Sequence, residues 1–439
     1  MKYIDWLKRK KLKYRDGDLF FDGISTLDLT NEFGTPLYVT SEKLIREHFR
    51  ELNKNLKTEY KESYIYYAVK ANSNLTILKI LDSEGSFFDC TSVGEIKACL
   101  KVGIKPNKIL YTGNMFTNDD FRYAVKHNIT INLDSLSQLK RLSTIYEELE
   151  KENKIISFRI NPEFGAGHHS HTITAGKEVK FGILEDQVIK AYSKAKKLGF
   201  NRFGIHQHIG SGILDPLEFK RAVEKYLAII SKLIDQLNLK FDFIDFGGGL
   251  GIPYRPNENP LDLNLYKKIV LLRFKEFIKR AHKNYIKVII EPGRYIVAES
   301  TILLAQVNTI KNNGYKLFAG VNAGFNTLIR PTMYGSYHHI INCQIHSPNK
   351  KVYDITGPIC ESGDILGKNR ELNELDEKDY LSILDTGAYG FSMGSNYNSR
   401  PRPAEIILHN HESYLMRKSE SYKDLFKLQV FPEFLKNED

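Results

Sequence analysis

The stretch FDFIDFGGGLGI, residues 241 to 252, joins a short apolar and aromatic run to a turn rich in glycine. Runs of this length bounded by turn residues are typical of buried β-strands. Seven similar runs occur between about residues 60 and 300, separated by amphipathic stretches with helical spacing. Eight strand–helix units in about 250 residues predict a closed (β/α)8 barrel.

The eight predicted barrel strands are SYIYYAVK (63–70), SFFDCTS (86–92), KILYTGN (108–114), ITINLDS (129–135), IISFRINP (155–162), RFGIHQHIG (202–210), FDFIDFGGG (241–249) and KVIIEPGR (287–294). After Ser300 the pattern changes to alternating strands, such as TILLAQVNTI and AEIILH, which predicts a β-rich domain of sandwich or barrel type. TPLYVT, at 35 to 40, predicts a further strand of that domain. We therefore predict a barrel over residues 41–300 and a β-rich domain over 1–40 and 301–439.

Composition favours a soluble globular protein, because 42% of the 439 residues are hydrophobic and 26% are charged. No apolar run is long enough to span a bilayer, and the first residues lack the apolar core of a secretory signal, so we expect no membrane association and a cytoplasmic location. The four cysteines have no zinc-site spacing, which favours free thiols. The net charge of +10 is spread along the chain without a nucleic-acid-binding motif, so we expect no nucleic-acid partner.

Functional groups of a (β/α)8 barrel follow the carboxyl ends of its strands. Polar residues and glycines at the predicted strand ends are Lys70, Asp89, Asn114, Asp134, Asn161, His208, Gly247 to Gly249, Glu291 and Arg294. A single lysine or histidine at a strand end is more often a solvated or structural residue, so the interpretation depends on their combination.

Glycines 247, 248, 249 and 251 follow the seventh predicted strand, where barrel enzymes often bind phosphate. The absence of side chains at Gly248 and Gly249 would let backbone N–H groups approach an anion, although a tight structural turn explains the glycines equally well. Ser211 and Arg294 could add a hydroxyl donor and a cation. The sequence lacks the GxGxxG and GxxxxGK[ST] patterns, which argues against a dinucleotide or a P-loop nucleotide.

The combination suits pyridoxal 5'-phosphate (PLP). Lys70 can hold an aldehyde as a Schiff base, and His208 offers a flat ring to lie against a pyridine. Glu291 decides the interpretation, because a carboxylate beside the ring nitrogen makes the cofactor a stronger electron sink.

Seven ordered motifs resemble those of the diaminopimelate decarboxylase family, which belongs to the alanine-racemase-like, fold type III PLP enzymes. They are YYAVKAN, FDCTSVGEI, HQHIGSG, DFGGGLGIPY, EPGRYIV, GPICESGD and GAYGFSMGSNYNSRPRPAE, and they span nearly the whole chain. The resemblance implies decarboxylation of meso-2,6-diaminopimelate to L-lysine and CO2, the last step of lysine biosynthesis. Glu291 agrees with this, since a racemase of the same fold would be expected to place a guanidinium against the ring nitrogen.

The resemblance also implies roles for single residues. Lys70 would be the Schiff-base lysine, His208 the stacking residue and Glu291 the partner of the ring nitrogen, while Asp89 would support the geometry of Lys70 and His208. The remaining cofactor contacts that it implies are Ser211, Gly248, Gly249, Arg294 and Tyr389.

Cys360 lies in a motif that, in related decarboxylases, reaches the active site of the partner subunit. The resemblance therefore implies a homodimer with shared active sites, in which Cys360 is the catalytic proton donor. A small buried apolar role is the structural alternative for this cysteine.

The substrate-binding positions that match the family are Arg294, Arg330, Tyr334 and Tyr389, with Glu361 and Ser362 at the distal ammonium. Taken alone, Arg330 would more often be a surface ion-pair residue.

One segment departs from the family pattern. GAGHHSHTITAGKEVKFGI places His168, His169 and His171 in a stretch that is shorter in many relatives. No acidic or cysteine partner has suitable spacing, so we expect no metal site there and favour an active-site loop. The departure leaves two alternatives open: a related decarboxylase acting on D-lysine, D-ornithine or another basic amino acid, and a catalytically silent homologue that binds partners.

Overall fold

The computed structural model describes residues 3–165, 174–176, 178–280 and 286–435. The chain divides into two units: the first comprises Met1–Tyr3 and Lys43–Glu299, and the second comprises Ile4–Glu42 and Ser300–Asp439. None of the helices within the described residues is both long and apolar enough to cross a bilayer.

The strands are, in chain order, β1 (Leu12–Arg15), β2 (Asp18–Phe21), β3 (Ile24–Ser25), β4 (Leu37–Ser41), β5 (Ser63–Ala68), β6 (Phe87–Cys90), β7 (Ile109–Thr112), β8 (Thr130–Leu133), β9 (Ile155–Asn161), β10 (Ile183–Leu184), β11 (Arg202–Gln207), β12 (Phe241–Asp245), β13 (Lys287–Ile290), β14 (Thr301–Asn312), β15 (Leu317–Val321), β16 (Ile340–Asn342), β17 (Lys350–Thr356), β18 (Ile365–Asn373), β19 (Tyr380–Ile383), β20 (Ala404–His409) and β21 (Glu412–Arg417).

The α-helices are α1 (Tyr3–Arg9), α2 (Thr26–Phe33), α3 (Glu42–Glu59), α4 (Leu75–Ser83), α5 (Val93–Lys101), α6 (Asn118–Lys126), α7 (Leu136–Glu148), α8 (Glu185–Lys197), α9 (Glu218–Leu237), α10 (Leu263–Lys267), α11 (Arg273–Arg280), α12 (Arg294–Val297), α13 (Arg330–Tyr334) and α14 (Tyr422–Phe426). A π-helical segment, Lys268–Leu272, joins α10 to α11.

The first unit is a closed parallel barrel whose strands follow one another in the order β5, β6, β7, β8, β9, β11, β12, β13, with β13 pairing back to β5. The (β/α)8 prediction is therefore confirmed, and all eight predicted strands are present. Each strand is shorter than predicted, because its last residues leave the sheet to form the loop that follows. The sequence pattern did not reveal β10, a two-residue strand that pairs with β9.

Local signals fix the helices that alternate with these strands. Asn74 caps α4 and Ser92 caps α5, each accepting a backbone N–H from the first helical turn. Gly85 and Gly103 follow those helices with φ of 87° and 88°, a conformation that glycine adopts at little cost. Tyr66, Leu110, Phe243 and Ile289, from four of the barrel strands, form a buried hydrophobic cluster. The strand ends opposite this packed region are free to carry polar groups.

The second unit is a β-rich body in which the strands follow the order β18, β17, β15, β14, β4, β20, β21. The twelve-residue β14 pairs with β15, β19 and β4, and β19 pairs in turn with β16. The strand predicted at 35 to 40 is present as β4, which pairs antiparallel with β14 and parallel with β20. The sequence analysis missed α1 and the small sheet of β1, β2 and β3.

A buried ion pair anchors the start of the second unit to its later strands. Lys10 donates from Nζ to Asp385 Oδ1 at 2.6 Å, and the exposed fraction of each residue is 1%. The Lys10 ammonium also lies 4.6 Å from the ring centre of Trp6, which is fully buried. The polar residue Lys10 thus belongs to the core of this unit.

Removal of Lys10 should destabilise the fold strongly, because it takes the cation away from a buried ion pair. We expect Lys10→Met to lower the free energy of unfolding by about 3 to 5 kcal/mol, as measured by urea denaturation. The matched control is Lys351→Met, which breaks the exposed Lys351–Glu374 pair. This variant should leave the midpoint of urea denaturation nearly unchanged. Equal midpoints for the two variants would contradict this interpretation of Lys10.

Candidate active site

The loops that follow β5, β6, β11, β12 and β13 bring the predicted groups of the first unit together. Lys70 lies in a single helical turn, Val69–Ala71, directly after β5. Its Nζ donates to Oδ2 of Asp89 at 3.0 Å, and Asp89 is fully buried near the end of β6. The Lys70 side chain keeps 35% of its surface exposed, so its amine is anchored yet accessible.

The Asp89 carboxyl occupies an unfavourable place for a charge. Burial raises its pKa, the nearby Glu291 carboxylate raises it further, and Lys70 offsets only part of this increase. Among the described residues, Asp89 Oδ1 has no hydrogen-bond partner. Lys70 is therefore held beside a buried carboxyl group whose pKa it acts to lower.

Glu291 follows β13 and is 4% exposed. His206 Nε2 lies 3.2 Å from its Oε2, whereas its Oε1 has no hydrogen-bond partner among the described residues. Burial acts to raise the pKa of Glu291, but His206, Lys70 and His208 lower it to about 2. Glu291 is thus a buried, ionised carboxylate with one oxygen available to a donor.

Asp245, the last residue of β12, completes this buried group. Its Oδ1 accepts the backbone N–H of Gly247 at 2.8 Å. Burial and the neighbouring Glu291 carboxylate raise the pKa of Asp245 well above its ordinary value. His206, Asp245 and Glu291 each offer one donor atom within 4.8 Å of the others, a set that could hold a metal ion, so the prediction of no metal stays a prediction.

His208 is fixed in one protonation state by the glycine-rich loop. Its Nδ1 accepts the backbone N–H of Gly248 at 3.1 Å, so the ring proton must lie on Nε2. Burial, followed by the positive charges of Arg159 and Lys70, lowers the pKa of His208 well below its ordinary value. The imidazole is therefore a neutral, oriented ring.

The glycines are required by close packing of the backbone. A Cβ atom on Gly248 would lie 2.2 Å from the carbonyl oxygen of Glu291, and one on Gly247, where φ is 72°, would lie 2.2 Å from that of Gln207. The loop after β12 consequently lies directly between the loops after β11 and β13.

Arg294 extends the polar site beside the glycine-rich loop. The residue is 5% exposed, and its guanidinium donates to Ser211 Oγ at 3.1 Å and to the Tyr254 hydroxyl at 2.6 Å. A fixed cation with two hydroxyl groups is suited to an anion such as phosphate.

These residues fit PLP. Lys70 presents an accessible amine, Glu291 Oε1 is an acceptor without a partner among the described residues, and the neutral ring of His208 lies beside the glycine-rich turn. Ser211, Gly249 and Arg294 would hold the phosphate. The Gly248 N–H, predicted to join them, is instead donated to His208 Nδ1.

Sequence reasoning missed four members of this site: His206, Asp245, Arg159 and Tyr254. A signal for His206 was present, because side chains two positions apart on a strand share a face, and HQH places His206 on the same face as His208. The buried Arg159 guanidinium lies 4.5 Å from the Phe181 ring centre and donates to the His208 carbonyl at 3.4 Å. The position of Arg159 beside His208 is evident only from the folded structure.

The other predicted residues lie in the second unit. Arg330 is 2% exposed and donates to His338 Nε2 at 2.7 Å and to Ser336 Oγ at 3.3 Å, so it is not a surface ion-pair residue. Tyr334 ends the same short helix, α13, and is half-buried.

Cys360, Glu361 and Ser362 are exposed, which excludes a small buried role for Cys360 within its own chain. The Tyr397 hydroxyl donates to Glu361 Oε1 at 2.6 Å. Tyr389 is half-buried with φ of 59°. The predictions for His168, His169 and His171 fall outside the described residues.

Comparison with known proteins shows the family of the chain. The family model described as pyridoxal-dependent decarboxylase, pyridoxal binding domain, matches residues 42–298. A diaminopimelate decarboxylase of Methanothermobacter thermautotrophicus is 46% identical over 418 residues, which are 95% of this chain and 96% of that protein.

Solved structures of diaminopimelate decarboxylases are also similar to this chain. The diaminopimelate decarboxylase of M. jannaschii in complex with L-lysine has a TM-score of 0.91 at 32% identity and covers 97% of this chain and 99% of its own. The Helicobacter pylori diaminopimelate decarboxylase complexed with L-lysine has a TM-score of 0.83 at 37% identity and covers 92% and 98%. The family implies PLP as the cofactor. The chain therefore belongs to the PLP-dependent decarboxylases, in the diaminopimelate decarboxylase family.

Proposed function

We propose that the protein decarboxylates meso-2,6-diaminopimelate to L-lysine and CO2. The observation that carries this proposal is the buried, ionised Glu291, whose Oε1 can accept a hydrogen bond from a protonated ring nitrogen. When bound, PLP supplies an electron sink for the pair of electrons left behind as CO2 departs. The names of the relatives support diaminopimelate as the substrate.

Residues of the first unit have separate roles in binding and orienting the cofactor. Lys70 carries the amine that holds the cofactor, and Asp89 keeps that amine in place through the 3.0 Å contact. His208 presents its flat, neutral ring, held by the Gly248 N–H. Glu291 would accept a hydrogen bond from the ring nitrogen and so keep that nitrogen protonated.

Glu291 also favours decarboxylation over racemisation. A carboxylate keeps the ring nitrogen protonated, and this increases the withdrawal of electrons that CO2 loss needs. A guanidinium at the same position would leave the nitrogen unprotonated and the electron sink weaker. The identity of the group beside the nitrogen thus selects between the two reactions.

For the substrate we assign Arg330, Tyr334 and Arg294 to carboxylate recognition, and Glu361 and Ser362 to the distal ammonium, with Tyr389 as a further contact. Arg330 suits this role because the buried His338 and Ser336 orient its guanidinium. A preoriented arginine can bind a carboxylate through two parallel hydrogen bonds.

We further propose that the active unit is a homodimer, located in the cytoplasm, in which Cys360 of one subunit donates a proton at the active site of the other. Three of the four cysteines are buried, and Cys360 alone is exposed. An exposed thiol flanked by the polar residues Glu361 and Ser362 suits an interface that receives a charged substrate.

Replacement of Lys70 tests the cofactor assignment. We expect Lys70→Ala to lower kcat on the order of 10³-fold or more, because no other amine replaces the one beside Asp89. Borohydride treatment followed by peptide mapping should place the cofactor mass on the Lys70 peptide of the wild-type protein only. Undiminished turnover in Lys70→Ala would refute the assignment, and Lys79→Ala, an exposed lysine, is the matched control.

Mixing two inactive variants tests the shared site. Lys70→Ala and Cys360→Ala should each be nearly inactive, but an equal mixture, after subunit exchange, should recover about a quarter of wild-type activity. Half of the dimers are then mixed, and each mixed dimer has one intact site. No recovery, although mass spectrometry detects mixed dimers, would place Lys70 and Cys360 at the same subunit's site.

Substrate choice tests Arg330. We expect Arg330→Met to lower kcat/KM for meso-diaminopimelate by about 10²-fold, mostly through KM, since a desolvated carboxylate loses its partner. Any activity toward L-ornithine, which lacks the distal carboxylate, should fall much less. A parallel assay with D-lysine, D-ornithine and L-arginine covers the alternative substrates. Wild-type preference for any of these over meso-diaminopimelate would overturn the substrate assignment.

A further inference from the structure

We propose that His206 is a positioning residue that keeps the Glu291 carboxylate ionised and aimed at the ring nitrogen of the cofactor, an inference that rests on the function proposed above. His206 touches neither the substrate nor the reacting atoms in this account. It acts through Glu291 alone.

The barrel places these two groups with little freedom. His206 lies in β11, is fully buried, and approaches Glu291 Oε2 through Nε2 at 3.2 Å. The backbone N–H of Glu291 donates to the Gly247 carbonyl at 2.8 Å, which fixes the start of its side chain. With one carboxylate oxygen held by His206, the other, Oε1, is left as the acceptor without a partner among the described residues.

Glu291 needs such a partner because its surroundings oppose a negative charge. The carboxylate is 4% exposed, and two further buried carboxyl groups, Asp89 and Asp245, are near enough to interact with it. Burial and like charges both favour the protonated form of a carboxyl group. A protonated Glu291 could not stabilise a pyridinium, so these forces must be offset.

Several titratable or charged groups face Glu291 from the elements around it. They are Lys70 after β5, Asp89 on β6, Arg159 on β9, His206 on β11, His208 after β11, and Asp245 on β12, together with the hydroxyls of Tyr66 and Tyr226. Among these groups, His206 has the largest effect in lowering the pKa of Glu291, followed by Lys70 and then His208.

Asp245 is a neighbouring buried carboxyl group without a hydrogen bond to His206 among those described, and its pKa shifts in the opposite direction. It lies beside His206 in the register of β11 and β12, yet its pKa is raised well above the ordinary value. The pKa values of the two adjacent carboxyl groups are thus shifted in opposite directions, that of Glu291 downward and that of Asp245 upward. We assign this separation to the hydrogen bond from His206 to Glu291.

The test is the pH dependence of His206→Leu. In the wild-type protein the pKa of Glu291, about 2, keeps this carboxylate ionised throughout the range from pH 6 to 9. Without His206, burial should raise that pKa into the working range, as documented for buried glutamates with pKa values of about 8 to 9. The variant should then lose activity on the order of 10²-fold at pH 6 and regain most of it by pH 9, with KM nearly unchanged.

A second readout does not depend on turnover. The absorption spectrum of bound PLP in His206→Leu should titrate between pH 6 and 9 as Glu291 gains its proton, whereas the wild-type spectrum should show no such step. His206→Gln, whose amide N–H can reach Oε2 but cannot take a proton, should shift the step toward lower pH.

The matched control is His48→Leu, which removes another buried histidine of the first unit, 3.8 Å from the Glu299 carboxylate. It should alter stability but not the shape of the pH profile. Parallel profiles for His206→Leu, His206→Gln and the wild type would overturn the role of His206. Failure of the proposed function is a separate result: a wild-type protein that binds PLP but releases no CO2 from meso-diaminopimelate at any pH.

Discussion

A carboxylate that stays ionised while almost fully buried is the constraint on which the rest of the site depends. Removing Glu291 from water disfavours its charge, and the neighbouring carboxyl groups add to that cost. The compensation comes from groups on separate strands, chiefly His206 on β11 and Lys70 after β5. The closed barrel brings these strands, which are distant in sequence, to one end of the sheet, so the electrostatics of the site depend on the fold.

Close backbone packing around Gly247 and Gly248 also positions the groups of the site. Gly247 and Gly248 let the loop after β12 lie against the loops after β11 and β13, and the same contact sets the proton of His208 through the Gly248 N–H. A side chain at either glycine would separate the loops and release both the histidine ring and the glutamate backbone. The glycine-rich turn therefore orients catalytic groups in addition to its proposed contact with phosphate.

The sequence was sufficient for the barrel, and for the position of Lys70, His208, Glu291 and Arg294 after strand ends, because strand periodicity is a local property. His206 and Asp245 were missed, since a histidine inside a strand and an aspartate before glycines look structural until their distances to Glu291 are known. The N-terminal helix α1 escaped detection because it has only seven residues, and the burial of Lys10 depends on the distant Asp385. The burial of Arg330 likewise follows from tertiary contacts with His338 and Ser336.

The protonation state of Glu291 tests the central claim most directly. An infrared difference spectrum between the wild-type holoenzyme and Glu291→Gln at pH 7 isolates the signal of this one carboxyl group. If Glu291 is ionised, the wild-type protein shows the antisymmetric stretch of a carboxylate. The carbonyl stretch of a protonated carboxylic acid at that pH would contradict it.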